Sequence, residues 1–292
     1  MFKYMSKRYQ DPLTEIRKPA LRAPADSCDC HAHMFGPLTE YPVIADARFS
    51  NPRVGADDYR KIAGCLGIAR TVIVQPHVYG ADNRCAWDIL EQQQGKWRGI
   101  AVLDLRENER TLTAMHVAGF RGVRVNLRNK GGLTMHALAE VAACNKPYGW
   151  HIEFAPDGDD LITIAQNARG IAVDIAIPHM GRVAARDGIA SKPFQALLEL
   201  VKQGRCWVKL SAPHRISSLP YPHQDVLPFA RALIEAAPER MLWATDWPHT
   251  GVADQDYMPN DGDTLDQLAC WTDDPRMQRR ILVENPAKLY GY

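Results

Sequence analysis

The sequence predicts one α/β domain, a (β/α)8 TIM-like barrel over residues 26–292 preceded by an N-terminal arm over residues 1–25. Three observations carry that prediction. Short β-branched or apolar runs alternate with amphipathic stretches, the pattern of parallel βαβ units. Eight such runs occur after residue 26, in a length close to the roughly 250 residues typical of the closed barrel. Several runs, among them Val72-Ile73-Val74 and Met241–Ala244, are apolar throughout, as strands covered on both faces must be. An open doubly wound sheet is the alternative, but no GxGxxG or GxxxxGK[ST] loop opens a helix.

Taken in order, residues 1–25 form a charged arm broken by Pro12, Pro19 and Pro24. Strands are then expected at Cys28–His33, Thr71–Gln75, Gly99–Asp104, Gly122–Asn126, Trp150–Phe154, Ala172–Ile177, Cys206–Leu210 and Met241–Ala244. Helices are expected at Asp57–Leu66, Ala81–Gln94, Glu107–Val117, Met135–Cys144, Asp159–Asn167, Lys192–Lys202, Asp225–Ala236 and Asp263–Trp271, where apolar residues recur at three and four.

Composition narrows the function classes. With 46% hydrophobic and 24% charged residues the chain is an ordinary globular sequence, which excludes disorder for its bulk. Lys plus Arg is 35 against 34 for Asp plus Glu, so there is no general electrostatic case for a nucleic-acid partner. No apolar run approaches the ~18 residues of a membrane helix, and the polar, basic start lacks the core of a signal peptide. The expectation is a cytoplasmic monomer or small homo-oligomer acting on a small anionic molecule. Seven scattered cysteines do not make a disulfide framework. Cys65, Cys85, Cys144, Cys206 and Cys270 read as core fillers. Trp87, Trp97, Trp150, Trp207 and Trp271 read as packing, and Trp247 as a pocket wall.

A barrel of this kind builds its active site at the C-terminal ends of its strands. Alternation along Cys28-Asp29-Cys30-His31-Ala32-His33 puts Asp29, His31 and His33 on one face and the cysteines on the other. If the first face is the interior, two imidazoles converge at the rim, where they can hold a divalent metal or hydrogen-bond a substrate carbonyl. The cysteines then point into the helix layer, which disfavours a thiolate zinc site. His179 follows the sixth strand and Asp246 the eighth, so both reach the same rim. Partial burial there can tune Asp246 as a general base, against the plainer role of helix N-cap. Arg124 alternates with Asn126 at the end of the fourth strand, Arg128 and Lys130 follow in its loop, Arg182 follows the sixth strand and Arg215 the seventh. Such a set suits an anionic substrate, since guanidinium binds carboxylate or sulfonate in bidentate fashion; some members alternatively pair with rim carboxylates. Gln75 and His77 are substrate-contact candidates, or parts of a turn in which Asp82 and Asn83 cap the next helix.

Together, Asp29–His33 with Phe35-Gly36-Pro37, His179–Arg182, Thr245–His249 and Glu284–Tyr290 make the chain resemble the amidohydrolase-superfamily lactonases, from about residue 25 onward. The likeness is greatest to the pyrone-dicarboxylate branch, beside sulfomuconolactone hydrolases and galactarolactone isomerases. The resemblance implies a distorted barrel that hydrolyses an acidic lactone, in bacterial breakdown of aromatic compounds. It makes Asp246 the base that activates water, His31, His33 and His179 the groups that polarise the carbonyl, and Arg124, Arg182 and Arg215 the anchors of the substrate's acid groups. The pyrone branch works without metal and the sulfomuconolactone branch uses zinc. His31, His33, His179 and Asp246 are therefore either a metal-free carbonyl clamp or a zinc site. Isomerisation and decarboxylation on the same scaffold are the alternatives, and a non-catalytic anion-binding barrel a more distant one. Two departures touch the substrate-facing shell. Ala155 stands where that branch has a tyrosine, and Arg48-Phe49 where it has a second. His151, Glu153 and Arg48 are candidates for replacement contacts.

Overall fold

Eight strands pair in parallel in strict sequence order, each with the next. They are seen in a computed structural model that describes residues 10–45, 52–127, 133, 135–252 and 257–292. The order is β1 (Cys28–Ala32), α1 (Ala56–Leu66), β2 (Arg70–Val74), α2 (Arg84–Glu91), β3 (Trp97–Ala101), α3 (Glu109–Ala118), β4 (Phe120–Asn126) and α4 (Leu138–Asn145). It continues through β5 (His151–Ala155), α5 (Asp160–Ala168), β6 (Ile175–Ile177), α6 (Lys192–Lys202), β7 (Cys206–Leu210), α7 (Leu227–Ala236), β8 (Met241–Trp243) and α8 (Asp261–Trp271). The sheet curls until its last strand meets its first. Asp246 N–H donates to the His31 carbonyl at 3.0 Å, and His33 N–H to the Trp247 carbonyl at 2.7 Å. The predicted (β/α)8 barrel is therefore the observed one.

Helix amphipathicity explains the outer layer. On α6, Phe194, Leu197, Leu200 and Val201 recur at three and four and are buried, each contributing roughly 1.5–3 kcal/mol of transfer free energy. They join Ile73, Val123, Ile152, Ile175, Val208 and Met241 in the layer between sheet and helices. Alternate residues on the strands, Val72, Val74, Ile100, Ala176, Trp207 and Leu242, fill the barrel interior.

Two of the sequence expectations fail on β1. Cys28 and Cys30 lie in the interior cluster, not in the helix layer. Asp29 instead turns outward to accept from Tyr59 Oη of α1 at 2.8 Å. The register between β1 and β2 shifts between Asp29 and Ala32. A bulge of this sort re-aims the side chains beyond it, so His31 and His33 still reach the interior. Among the cysteines, Cys85 and Cys206 are buried, whereas Cys65 and Cys270 are exposed. Trp247 is fully buried with its ring 5.3 Å from that of Tyr59, so it packs behind β1 rather than walling a pocket.

Helical structure continues past Trp271, where the sequence reading stopped. Pro275–Arg279 (α9) runs through a π turn, Arg280–Glu284, into Asn285–Tyr290 (α10). Its end closes the bottom of the barrel: Tyr290 packs 5.5 Å from the His151 ring, and Arg98 Nε donates to the Tyr290 carbonyl at 3.1 Å. The N-terminal segment docks on α8. Arg17 Nε donates to Asp263 and Nη2 to Asp266, and the amides of Ala20 and Leu21 also bond to Asp266. The segment lies so close to Gly262 that a Cβ there would sit 1.8 Å from the Arg17 carbonyl oxygen.

Gly262→Ala should therefore lift residues 17–21 off α8 while leaving the barrel folded. The expected readout is tryptic cleavage after Arg17 or Arg22 faster by about tenfold, the effect of about 1.4 kcal/mol on a local opening. Unchanged cleavage would mean that the contact contributes nothing to holding the segment.

Candidate active site

Four side chains converge where β1, β6 and β8 end. The His31 ring lies 4.9 Å from that of His33 and 4.8 Å from that of His179. Asp246 Oδ1 is 3.7 Å from His31 Nε2 and 3.5 Å from His179 Nε2. The four residues that sequence reasoning selected are thus brought together. The backbone there is strained: His179 has φ +55° and Asp246 φ +67°, the left-handed region that residues with a Cβ avoid. Such positions persist where the surrounding structure over-determines them and concentrate at functional sites. Above them lies a cavity of about 390 Å³, lined by His33, Phe35, His77, Arg124, Asn126, Ala155, Asp157, His179, Arg182, Arg215 and Asp246, among others.

Proton positions follow from the partners. His33 Nδ1 is 2.7 Å from the Val74 carbonyl oxygen, which can only accept, so Nδ1 carries the proton and Nε2 a lone pair. Burial, with Arg124 adding to it, brings the His33 pKa down to about 3. Burial also lowers His31, helped by the Lys209 ammonium, and His179, against the pull of Asp246. All three imidazoles are therefore neutral near neutral pH; His33 and His179 line the cavity, and His31 is fully buried beside them. Burial alone would raise the pKa of Asp246, but the Arg215 guanidinium overrides it and holds the carboxyl well below the usual carboxylate range. Arg215 Nε donates to Asp246 Oδ2 at 2.7 Å, and Nη2 to the Thr250 carbonyl at 2.7 Å.

The remaining candidates divide. Arg124, Arg182 and His77 line the cavity, and Arg182 Nε sits 3.4 Å from Asp157. Arg215 lines it too, yet it is the member of the basic set that pairs with the rim carboxylate. Gln75 is turned away from the cavity. It is fully buried, and its amide braces the loop below by donating to the Asp82 carbonyl at 2.7 Å. In that loop Asp82 accepts from Arg84 N–H, while Asn83 bonds to the Ala81 and Val102 carbonyls. Ala155, which the resemblance singles out as a departure, lines the cavity. His151 and Glu153 do not line it and are no replacement for the missing tyrosine. His151 belongs to the barrel floor. Arg48, Phe49, Arg128 and Lys130 lie outside the described residues.

Sequence reasoning missed Lys209, and gave Glu153 a substrate contact in place of its role beneath the histidines. Lys209 on β7 and Glu153 on β5 are fully buried and form an ion pair. Lys209 Nζ also lies 3.3 Å from His31 Nδ1. The available signal was a lysine at an inward position of the otherwise apolar run Cys206–Leu210. A second buried pair, His249 Nε2 with Asp261 Oδ1 at 3.1 Å, ties the loop after β8 to α8. His249 N–H also holds the Asp246 carbonyl at 2.8 Å.

Spacing alone would let His31, His33 and Asp246 hold a metal ion, since one ligand atom of each lies within 4.8 Å of the others. The hydrogen bonds do not agree with it. His33 Nε2 and Asp246 Oδ1 offer lone pairs, but the ammonium at His31 Nδ1 places the proton on Nε2, the atom that would have to ligate. As hydrogen-bonded here, the set does not fit a divalent cation.

A family model described as amidohydrolase matches residues 28–292. The chain is 33% identical over 290 residues to 4-sulfomuconolactone hydrolase of Rhizobium radiobacter, covering 97% of this chain and 95% of that one. It is 32% identical over 284 residues to 2-pyrone-4,6-dicarboxylate hydrolase of Comamonas testosteroni, with 94% and 92% covered. A crystal structure from Agrobacterium tumefaciens superposes with a TM-score of 0.83 at 26% identity, over 94% of this chain and 98% of that one. Among the described residues no helix is long and apolar enough to cross a membrane.

The buried imidazoles make stability depend on pH with a definite sign. His33 and His151, both held down to about 3 chiefly by burial, regain an ordinary pKa of 6.5 on unfolding. The unfolded chain then binds more protons, so stability falls as pH drops below 6.5, by about 1.4 kcal/mol per unit for each histidine. His31, His179 and His214, lowered mainly by burial, act in the same direction. Asp29, raised to about 6 by burial, opposes them between roughly pH 6 and 4, where the folded chain binds its proton. The urea midpoint should accordingly be lower at pH 5 than at pH 7.5. A midpoint that holds or rises at pH 5 would contradict neutral buried histidines.

Proposed function

Because this chain belongs to the amidohydrolase family, we propose that it hydrolyses a small lactone bearing acidic groups, of the pyrone-dicarboxylate or sulfomuconolactone kind. One observation carries the reading. The ionised carboxylate of Asp246 stands beside the His33 lone pair at a cavity walled by Arg124, Arg182 and Arg215. The names of the two hydrolases at 33% and 32% identity support the same class of substrate.

The chemistry follows from donors and acceptors. A water between Asp246 and His33 Nε2 meets two acceptors, a span that one water bridges. Both its protons are taken up, which leaves an oxygen lone pair for the lactone carbonyl carbon. Arg124 and Arg182 hold the substrate's acid groups and so orient the ring. An acid group arriving at Arg215 shares that guanidinium with Asp246 and returns basicity to the carboxylate. Asp246 takes the water proton as the carbon–oxygen bond forms. Imidazole N–H and guanidinium groups stabilise the tetrahedral oxyanion. Its collapse breaks the ring C–O bond, the leaving oxygen takes the proton back from Asp246, and the new carboxylic acid ionises.

Asp246→Asn should lower kcat by about 10³, the scale of a general base, with circular dichroism unchanged. Near-normal turnover would sink the mechanism. Arg182→Gln should raise KM by roughly tenfold or more, the worth of a hydrogen bond to a charged group, with a smaller change in kcat. Sharing of Arg215 also predicts that the acid limb of kcat, which reports the enzyme–substrate complex, lies at higher pH than that of kcat/KM. Coincident limbs would mean that Arg215 keeps its hold on Asp246 throughout.

A further inference from the structure

We infer that the buried Lys209–Glu153 pair is a positioning device that fixes His31 as its Nε2–H tautomer, so that His31 presents a hydrogen-bond donor to the site and not a metal-binding lone pair. The role given to that donor rests on the lactonase reading above; the tautomer itself does not. Both members of the pair are fully buried and neither lines the cavity, so they act through His31 and not on substrate. An ammonium has three donors and no acceptor. One N–H of Lys209 goes to Glu153 Oε2, and another reaches His31 Nδ1 at 3.3 Å. The competing arrangement would have His31 Nδ1–H donating to Glu153 Oε1, but those atoms are 3.6 Å apart, too far for a hydrogen bond. With Nδ1 accepting, the proton of the neutral ring lies on Nε2. That atom is buried, 3.7 Å from Asp246 Oδ1, and has no hydrogen-bond partner among the described residues.

The two histidines of one strand end thereby present opposite polarity. The Val74 carbonyl makes His33 an acceptor at Nε2, and Lys209 makes His31 a donor at the same atom. A hydrolytic site needs both, an acceptor to hold the water and a donor for the carbonyl oxygen. A metal site needs a lone pair from each.

The direct test is two-bond ¹H–¹⁵N correlation on chelator-treated wild-type protein labelled with ¹⁵N-histidine, the His31 signals being identified by their loss in His31→Gln. The expected spectrum shows His31 protonated on Nε2 and His33 on Nδ1 at pH 7.5; His31 protonated on Nδ1 would overturn the inference. A second arm uses Lys209→Met/Glu153→Gln, which removes both charges and strands neither. Zinc affinity, measured by competition with a chromophoric chelator, should rise at least tenfold, and kcat should fall with KM little changed. Zinc affinity and kcat both unchanged would reduce the pair to scaffold. Should the double variant fail to fold, the wild-type spectrum decides alone. A wild-type enzyme silent on every acidic lactone, with His31 still protonated on Nε2, would remove the lactonase reading and leave the tautomer assignment standing.

Discussion

The Asp29 carboxylate holds the seam on which the site depends. It accepts from His31 N–H at 3.0 Å, Thr245 N–H at 3.1 Å and Tyr59 Oη at 2.8 Å, and from the Thr245 hydroxyl. These bonds join β1, the end of β8 and helix α1 at one buried group. A buried carboxylate without such partners would be costly, so the four donors both need it and are needed by it. The consequence is geometric. β1 bulges just past Asp29, the two strands close through the amides of His33 and Asp246, and His31, His33 and Asp246 arrive in a fixed mutual position. Because the groups sit on strand ends and not on long loops, their spacing is set by the sheet.

Charge around that seam is arranged in two layers. Below, Lys209 and Glu153 neutralise each other inside the barrel and touch the site only through His31. Above, Arg215 neutralises Asp246, while Arg124 and Arg182 face the cavity. Neutral imidazoles separate the layers. The same arrangement explains why a cluster with metal-like spacing does not carry metal-like hydrogen bonds.

Much of this was legible in the sequence, for reasons that can be named. Helix periodicity located α6 to the residue, because Phe194, Leu197, Leu200 and Val201 leave no other buried face. His31, His33, His179 and Asp246 were found because polar residues ending apolar strands of a barrel have one place to go. What failed was strict alternation on β1. A bulge is set by tertiary bonds to Tyr59 and Thr245 that no local pattern contains, so Cys28, Cys30 and Asp29 were assigned to the wrong faces while the histidines came out right. Gln75 and Trp247 were misread for a related reason: proximity to the rim in sequence does not say which way a side chain turns. Lys209 was not legible because its partner, Glu153 on β5, is 56 residues away and no local pattern links them. The helices after Trp271 fall outside the eight strand–helix units that the alternating pattern marks.

The most direct test of the account is proton release in a pH-stat by chelator-treated enzyme, offered 2-pyrone-4,6-dicarboxylate, 4-sulfomuconolactone and an uncharged lactone of matching ring size. Ring opening to a carboxylate liberates a proton near neutral pH, so no chromophore is required. The account predicts release from at least one acidic lactone without added metal, and little from the uncharged one. Release that appears only when zinc is restored, or that is as fast with the uncharged lactone, would contradict it.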